Sequence, residues 1–201
     1  SKFFSNIQEK KWYYQFLTPV VNKIERDTKL LDIGTGSGKL VQILSNEKNV
    51  SCFGVDTSQA MLDEAAIKLK NTGVKLIKIE PNEVLPFENN LFDYVTICNV
   101  LFHLDKNSVY YLLDEARRVL KNNGKIIVLT PTGYGNFFKL TKNFLSLNNL
   151  SIYIWYYATK NRAGPWSINK FLFKYCNNNK MKYKQTITFK GFAQVETIRK
   201  L

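Results

Sequence analysis

The chain has 201 residues, of which 45% are hydrophobic and 22% charged, enough for one domain with a full core; no segment reaches the ~18 consecutive apolar residues of a membrane span. The formal charge is +13 at pH 7, but the excess is local: residues 131–201 hold 12 Lys and Arg against one acid, Glu196, while residues 1–130 hold 17 against 15. Either an anionic partner or a solvated basic surface accounts for that asymmetry. Cys52, Cys98 and Cys176 form no CxxC pair and no metal-ligand pattern. Ser1–Asn6 has no apolar run of signal type, so a reducing cytoplasm is the expected location.

In chain order, Tyr13, Phe16, Leu17, Val20 and Ile24 recur at helical spacing and predict a helix over 6–26, with Pro19 able to kink or split it. Lys29–Ile33 reads as a strand, 38–46 as a helix and 50–55 as a strand ending on Asp56. Ser58 is placed to cap a helix running to Lys70. Strands follow at 74–79 and 92–98. A helix over 108–120 is expected to close at Asn122-Asn123-Gly124, ahead of a strand over 125–130. Strands alternating with helices predict a parallel sheet covered on both faces. After Pro131 the pattern changes. A helix is expected at 135–147, an aromatic-rich segment at 150–157 and a helix at 167–176 with Ile168, Phe171, Leu172 and Tyr175 on one face. Strands at 183–189 and 193–199, parted by Gly191, read as an antiparallel hairpin.

Leu31-Asp32-Ile33-Gly34-Thr35-Gly36-Ser37-Gly38 carries the chemistry. A glycine loop after the first strand lets backbone approach a ligand at the carboxyl edge of the sheet. Asp56, ending the second strand, can accept hydrogen bonds from both hydroxyls of a ribose. Together they imply a nucleoside cofactor. The loop spacing is GxGxG, one residue short of the dinucleotide pattern GxGxxG, and no GxxxxGK[ST] phosphate loop is present.

These motifs resemble the class I S-adenosylmethionine-dependent methyltransferases, in the subgroup acting on small molecules and lipids. Leu31–Gly38, Gly54-Val55-Asp56-Thr57-Ser58 with Met61-Leu62 and Ala65, Leu85-Pro86-Phe87 through Phe92-Asp93-Tyr94-Val95, Asn99–Leu104 and Arg117–Lys125 all match. The resemblance covers about residues 28–131. It implies a Rossmann-like, doubly wound α/β fold: a mostly parallel seven-stranded sheet with a C-terminal antiparallel hairpin and a helical, aromatic lid. One domain is expected, with an N-terminal helical region (1–27), a cofactor core (28–131) and an acceptor side (132–201).

The resemblance also implies roles. Gly34, Thr35, Gly36 and Gly38 form the loop against the methionine part and ribose of S-adenosyl-L-methionine, with Asp32 near its amine and Asp56 on the ribose. Thr57 and Met61 pack near the adenine, and Asn99 and Val100 line the pocket. Where relatives often carry an acid for the adenine amino group this chain has Pro81, so Asn82 or a backbone carbonyl takes that role. His103, the only histidine, is the candidate general base, with a packing or capping role as the alternative. The expected acceptor is a small or lipid-like molecule, anionic by the charge argument, held under the aromatic segment 150–157; that segment is otherwise a peripheral membrane contact. The absence of a Pro-Pro-aromatic motif after Asn99, and of any Pro-Cys, disfavours base methylation. RNA or protein methylation, or binding without transfer, are the alternatives.

Overall fold

The structure is a computed structural model that describes residues 6–144 and 150–200. One seven-stranded sheet organises it: β1 (Lys29–Ile33), β2 (Ser51–Asp56), β3 (Lys75–Lys78), β4 (Phe92–Cys98), β5 (Leu120–Pro131), β6 (Lys182–Thr188) and β7 (Ala193–Arg199), in the order β3-β2-β1-β4-β5-β7-β6. Neighbours are parallel except β7, which is antiparallel to both β5 and β6. The apolar strands β1 and β4 lie centrally with Leu30, Leu31, Val95 and Ile97 fully buried, as a sheet covered on both faces requires. The order reverses between β1 and β4, so the carboxyl ends of those strands open a crevice suited to a ligand.

The helices are α1 (Lys11–Val21), α2 (Lys39–Lys48), α3 (Gln59–Leu69), α4 (Lys106–Val119), α5 (Phe137–Phe144), α6 (Leu150–Asn169) and α7 (Phe171–Asn178). Several bounds differ from the sequence expectation. The helix expected over 6–26 is in two pieces: residues 6–8 are helical, a turn at 9–10 follows, and the regular helix is Lys11–Val21; Pro19 lies inside it without splitting it, and the helix ends two residues later. Helix α4 starts earlier than Ser108 because Asp105 is the cap, accepting from the backbone N–H of Asn107 (2.9 Å) and Ser108 (3.1 Å). Asn122–Gly124 does not close that helix. It is an irregularity inside β5, where pairing with β4 jumps from Phe92↔Leu120 to Tyr94↔Lys125 and Asn123 takes a φ of +64°.

The largest departure follows Pro131. The aromatic segment is the first part of a 20-residue helix, α6, which runs on through Gly164, Pro165 and Ser167. A left-handed Lys170 (φ 48°) then separates it from α7. That break resets the helical phase: Leu172 and Tyr175 are buried, whereas Ile168 is exposed and shares no face with them. The part of the expected 135–147 helix beyond Phe144 lies outside the described residues.

Two packing features position the crevice. Arg118 donates to the carbonyls of Leu85 (2.9 Å) and Phe87 (2.7 Å) and pairs with Glu115, which accepts from Leu85 N (2.9 Å); two motifs thirty residues apart in the chain thus clamp one another. On the other side Trp155 of α6 packs on Trp12 (5.4 Å) and Phe16 (5.2 Å) of α1, and Trp12 Nε1 donates to Ser151 Oγ (2.9 Å).

Candidate active site

A cavity of about 450 Å³ opens at the carboxyl ends of β1, β2 and β4, within the range of small-molecule sites. Its floor is the glycine loop. Gly34 and Thr35 donate to Val55 O (2.8 and 3.0 Å), and Gly34 and Gly36 have φ of +74° and +57°. A Cβ on Gly34 would collide with Val100, and one on Gly36 would stand 2.9 Å from Gln8 Nε2. Only bare backbone fits there.

Asp56 is held by the backbone on both oxygens: Gly36 N donates to Oδ2 and Ser58 N to Oδ1, each at 2.8 Å. A carboxylate oxygen has a second acceptor position, so Asp56 is both fixed and still able to accept. Ser58 caps α3, as expected, accepting from Met61 N. Asp32 is buried beneath the loop and accepts from Thr96 Oγ1 (2.7 Å). Burial pushes its carboxyl up to about 6 against the hydrogen bond from Thr96 and the nearby Thr35 hydroxyl, with the charge of Asp56 adding to the rise.

Asp32, Gly34, Thr35, Gly36, Asp56, Thr57, Met61, Asn82, Asn99 and Val100 all line this one cavity. Gly38 does not: it is the N-cap of α2 (φ 77°), and a Cβ there would meet Leu69 and Ala65 of α3. Its glycine serves helix packing. Asn82 (φ 58°) sits in the turn after β3 between Pro81 and Glu83, both also in the wall. Asn99 (φ 60°) follows the end of β4, donates its backbone N–H to Leu129 O (2.9 Å), and leaves its buried Oδ1 without a partner among the described residues.

His103 lines the rim, on a short turn over Leu101–His103. Its Nδ1 faces Arg162 Nη1 at 3.1 Å. Burial, and secondarily the Arg162 charge, hold its pKa below the ordinary histidine value. The ring is therefore neutral near pH 7. With Arg162 donating to Nδ1, its proton sits on Nε2.

The rest of the wall carries no local motif. Gln8, Tyr13 and Leu17 come from the N-terminal region, Tyr111 and Leu112 from α4, and Trp155 and Thr159 from α6. Tyr13's hydroxyl faces the Asn99 and Gln8 side chains, and burial raises its pKa. Gln8 also accepts from Ser37 Oγ (2.5 Å), while Glu9 pairs with Lys39 (2.7 Å) and with Lys68. The N-terminal turn is thereby tied across the loop. The periodic apolar face of α1 signalled Tyr13 and Leu17, and the aromatic segment 150–157 signalled Trp155; Gln8, Tyr111, Leu112 and Thr159 carried no signal.

The charge around the cavity differs from the expectation. None of the twelve cations after Pro131 is in its wall, and Arg162 reaches the rim only through His103. The charged side chains that do line it are Asp32, Asp56, Glu80, Glu83 and Lys39, the last already paired with Glu9. A wall this acidic favours a cationic ligand.

Residues 31–128 match the methyltransferase domain family model. That segment is similar to the class I S-adenosylmethionine-dependent methyltransferase domains. The chain is 32% identical over 116 residues to the ubiquinone/menaquinone biosynthesis C-methyltransferase of Citrifermentans bemidjiense, an alignment covering 52% of this chain and 47% of that protein. The demethylmenaquinone methyltransferase of Bacillus subtilis is 32% identical over 128 residues, covering 61% and 52%. The chain thus spans about half the length of the curated relatives it matches. The structure of a SAM-dependent methyltransferase from Aquifex aeolicus superposes with a TM-score of 0.68 at 14% identity, over 92% of this chain and 89% of that one; at that identity the likeness is one of fold. The donor of such a domain is S-adenosylmethionine. The bare-backbone floor, the fixed Asp56 and the free Asn99 Oδ1 fit that cation and its ribose.

Proposed function

We propose that the protein transfers the methyl group of S-adenosylmethionine to a small or lipid-like acceptor. The observation that carries the reading is Asp56, fixed by two backbone N–H groups at the edge of a glycine floor and facing a cavity whose wall is acidic. When bound, the cofactor supplies an already activated methyl group, so the protein's task is placement and exclusion of water. Gly34 and Gly36 give the close approach, Asp56 takes the ribose hydroxyls, Thr57 and Met61 flank the adenine, and Asn82 stands where the adenine amino group needs an acceptor. Asp32 faces the ammonium group.

Trp155, Leu17 and Leu112 offer the acceptor an apolar wall, with Tyr13 and Thr159 as its polar points. The relatives' names point to a quinone-type ring as the acceptor class. An oxygen on such a ring, anionic or phenolic, would meet the Arg162–His103 pair at the rim. There the Nε2–H of His103 acts as a hydrogen-bond donor; a general-base role requires Arg162 to leave Nδ1 first.

Calorimetry with S-adenosylhomocysteine, NAD and NADP, together with a labelled-methyl transfer screen of quinols, anionic metabolites and RNA, tests this reading. S-adenosylhomocysteine should bind and both dinucleotides should not. Asp56→Ala should weaken binding by roughly 100-fold, the loss of two charge-assisted hydrogen bonds. Binding of a dinucleotide in place of S-adenosylhomocysteine sinks the donor assignment. Labelling of RNA alone sinks the acceptor assignment.

A further inference from the structure

Helix α6 is apolar on both sides. Its inner face buries Ile152, Trp155 and Tyr156 and gives Trp155 and Thr159 to the cavity. Its outer face presents Leu150, Ile154 and Tyr157, at one-turn spacing and all exposed. Helix α5 extends that surface: Tyr153 meets Phe137 at 5.7 Å and Phe137 meets Phe138 at 6.1 Å, with Phe138 80% exposed. A surface helix ordinarily turns polar residues to water, and a contiguous exposed apolar patch marks an interaction site.

Charge decides the occupant. Lys142 lies one turn from Phe138 on α5. Lys160 stands over the Tyr157 ring at 4.6 Å. Lys139 is 5.7 Å from the Phe192 ring, and Lys190 donates to Asn143 O (2.8 Å) at the end of α5. The one acid in residues 131–201, Glu196, is buried and accepts from Tyr183 (2.6 Å). The face therefore joins exposed aliphatic and aromatic side chains to uncompensated cations.

An anionic bilayer surface satisfies both, with headgroups on the lysines and Leu150, Ile154 and Phe138 in the acyl boundary. An RNA would satisfy the lysines but offer Leu150 and Ile154 nothing, since aliphatic side chains do not stack on bases. No helix among the described residues is long and apolar enough to cross a membrane, so such contact is peripheral.

We propose that the α5–α6 face docks the protein on anionic lipid bilayers and sets the cavity-wall helix at the headgroup boundary. This placement does not depend on the transfer reaction.

Co-sedimentation with vesicles of phosphatidylcholine alone, and of phosphatidylcholine mixed equally with phosphatidylglycerol, tests it. The protein should sediment with the mixed vesicles, less so in high salt, and stay soluble with the neutral ones. The double variant Lys139→Glu/Lys142→Glu should weaken association by about tenfold or more. Phe138→Ser/Ile154→Ser should weaken it while leaving a salt-sensitive remainder. Lys142→Glu alone, at an exposed position, keeps the test open if a double variant fails to fold, and S-adenosylhomocysteine affinity reports folding independently of lipid. No sedimentation with mixed vesicles, equal sedimentation with neutral ones, undiminished binding by the charge variants, or binding of an RNA oligonucleotide without vesicle binding each overturns the proposal.

Discussion

The two sides of the cavity are built by different means. On the side of β1, β2 and β4, geometry resides in the backbone: positive-φ glycines, two N–H groups on Asp56 and a left-handed Asn99, all within a few residues of a strand end. On the side of α1 and α6, the wall is made by residues some 139 positions apart, joined through Trp12, Ser151 and Trp155. The first kind of site is local and carries its own sequence pattern. The second exists only once long-range packing is complete, so it can be rebuilt for another acceptor without disturbing the donor side. The family match, confined to 31–128, follows that division.

The sharpest way to break this contrast is Trp155→Ala. It removes a buried aromatic shared by α1, α6 and the cavity and should cost ~3–5 kcal/mol in denaturant unfolding. The folded protein should keep S-adenosylhomocysteine affinity within about threefold. A parallel collapse of affinity would show that the two sides are not separable.

Asp32→Asn probes the donor side from within. The wild-type carboxyl, at about 6 when folded against ~3.9 unfolded, contributes stability below pH ~4 that is lost as pH rises through about 6. At pH 7 the variant, lacking a buried uncompensated charge, should be more stable than the wild type without cofactor, by ~1–3 kcal/mol. It should also bind the cofactor less well. Wild-type affinity for the cationic cofactor should climb between pH 5 and 7, and a flat profile would remove Asp32 from the cation's contacts.

The smallest effect concerns the rim. Because His103 is the only histidine, its imidazole can be titrated by NMR without assignment ambiguity. Arg162→Gln removes one cause of its lowered pKa, which should rise toward the ordinary value. An unmoved pKa would show that the Arg162 contact does not persist in solution.

The strand–helix alternation of the parallel half, the Ser58 cap, the glycine loop and Asp56 were legible because short-range chemistry specifies them, and the resemblance added the rest of the eleven expected site residues that line the cavity. A glycine needing positive φ, an acid ending a strand and a cap before a periodic apolar run are readable without knowing what packs where. Gly38 was misread for an instructive reason: a glycine against a ligand and a glycine against Leu69 look alike in sequence, since each is a place where a Cβ does not fit. Thr159 carried no such mark, and Tyr13 and Trp155 were marked only as members of an apolar face and an aromatic run; their function lies in which surfaces meet. The extent of α6 was hidden by Gly164 and Pro165, ordinary helix breakers that tertiary contacts overrode. The basic excess was visible, but that none of it lies in the cavity wall was not.

The sheet order has a consequence for how the molecule comes into being. Strand β7 follows β6 in the chain yet lies between β5 and β6. A ribosome releasing the chain in order therefore exposes β5 with one bare hydrogen-bonding edge, and β6 with no partner, until residues 193–199 emerge. Over that interval the nascent protein offers unpaired strand edges to whatever is nearby. Closure comes with a single late insertion that completes both pairings together, so the parallel half can mature early while the other half waits on seven residues.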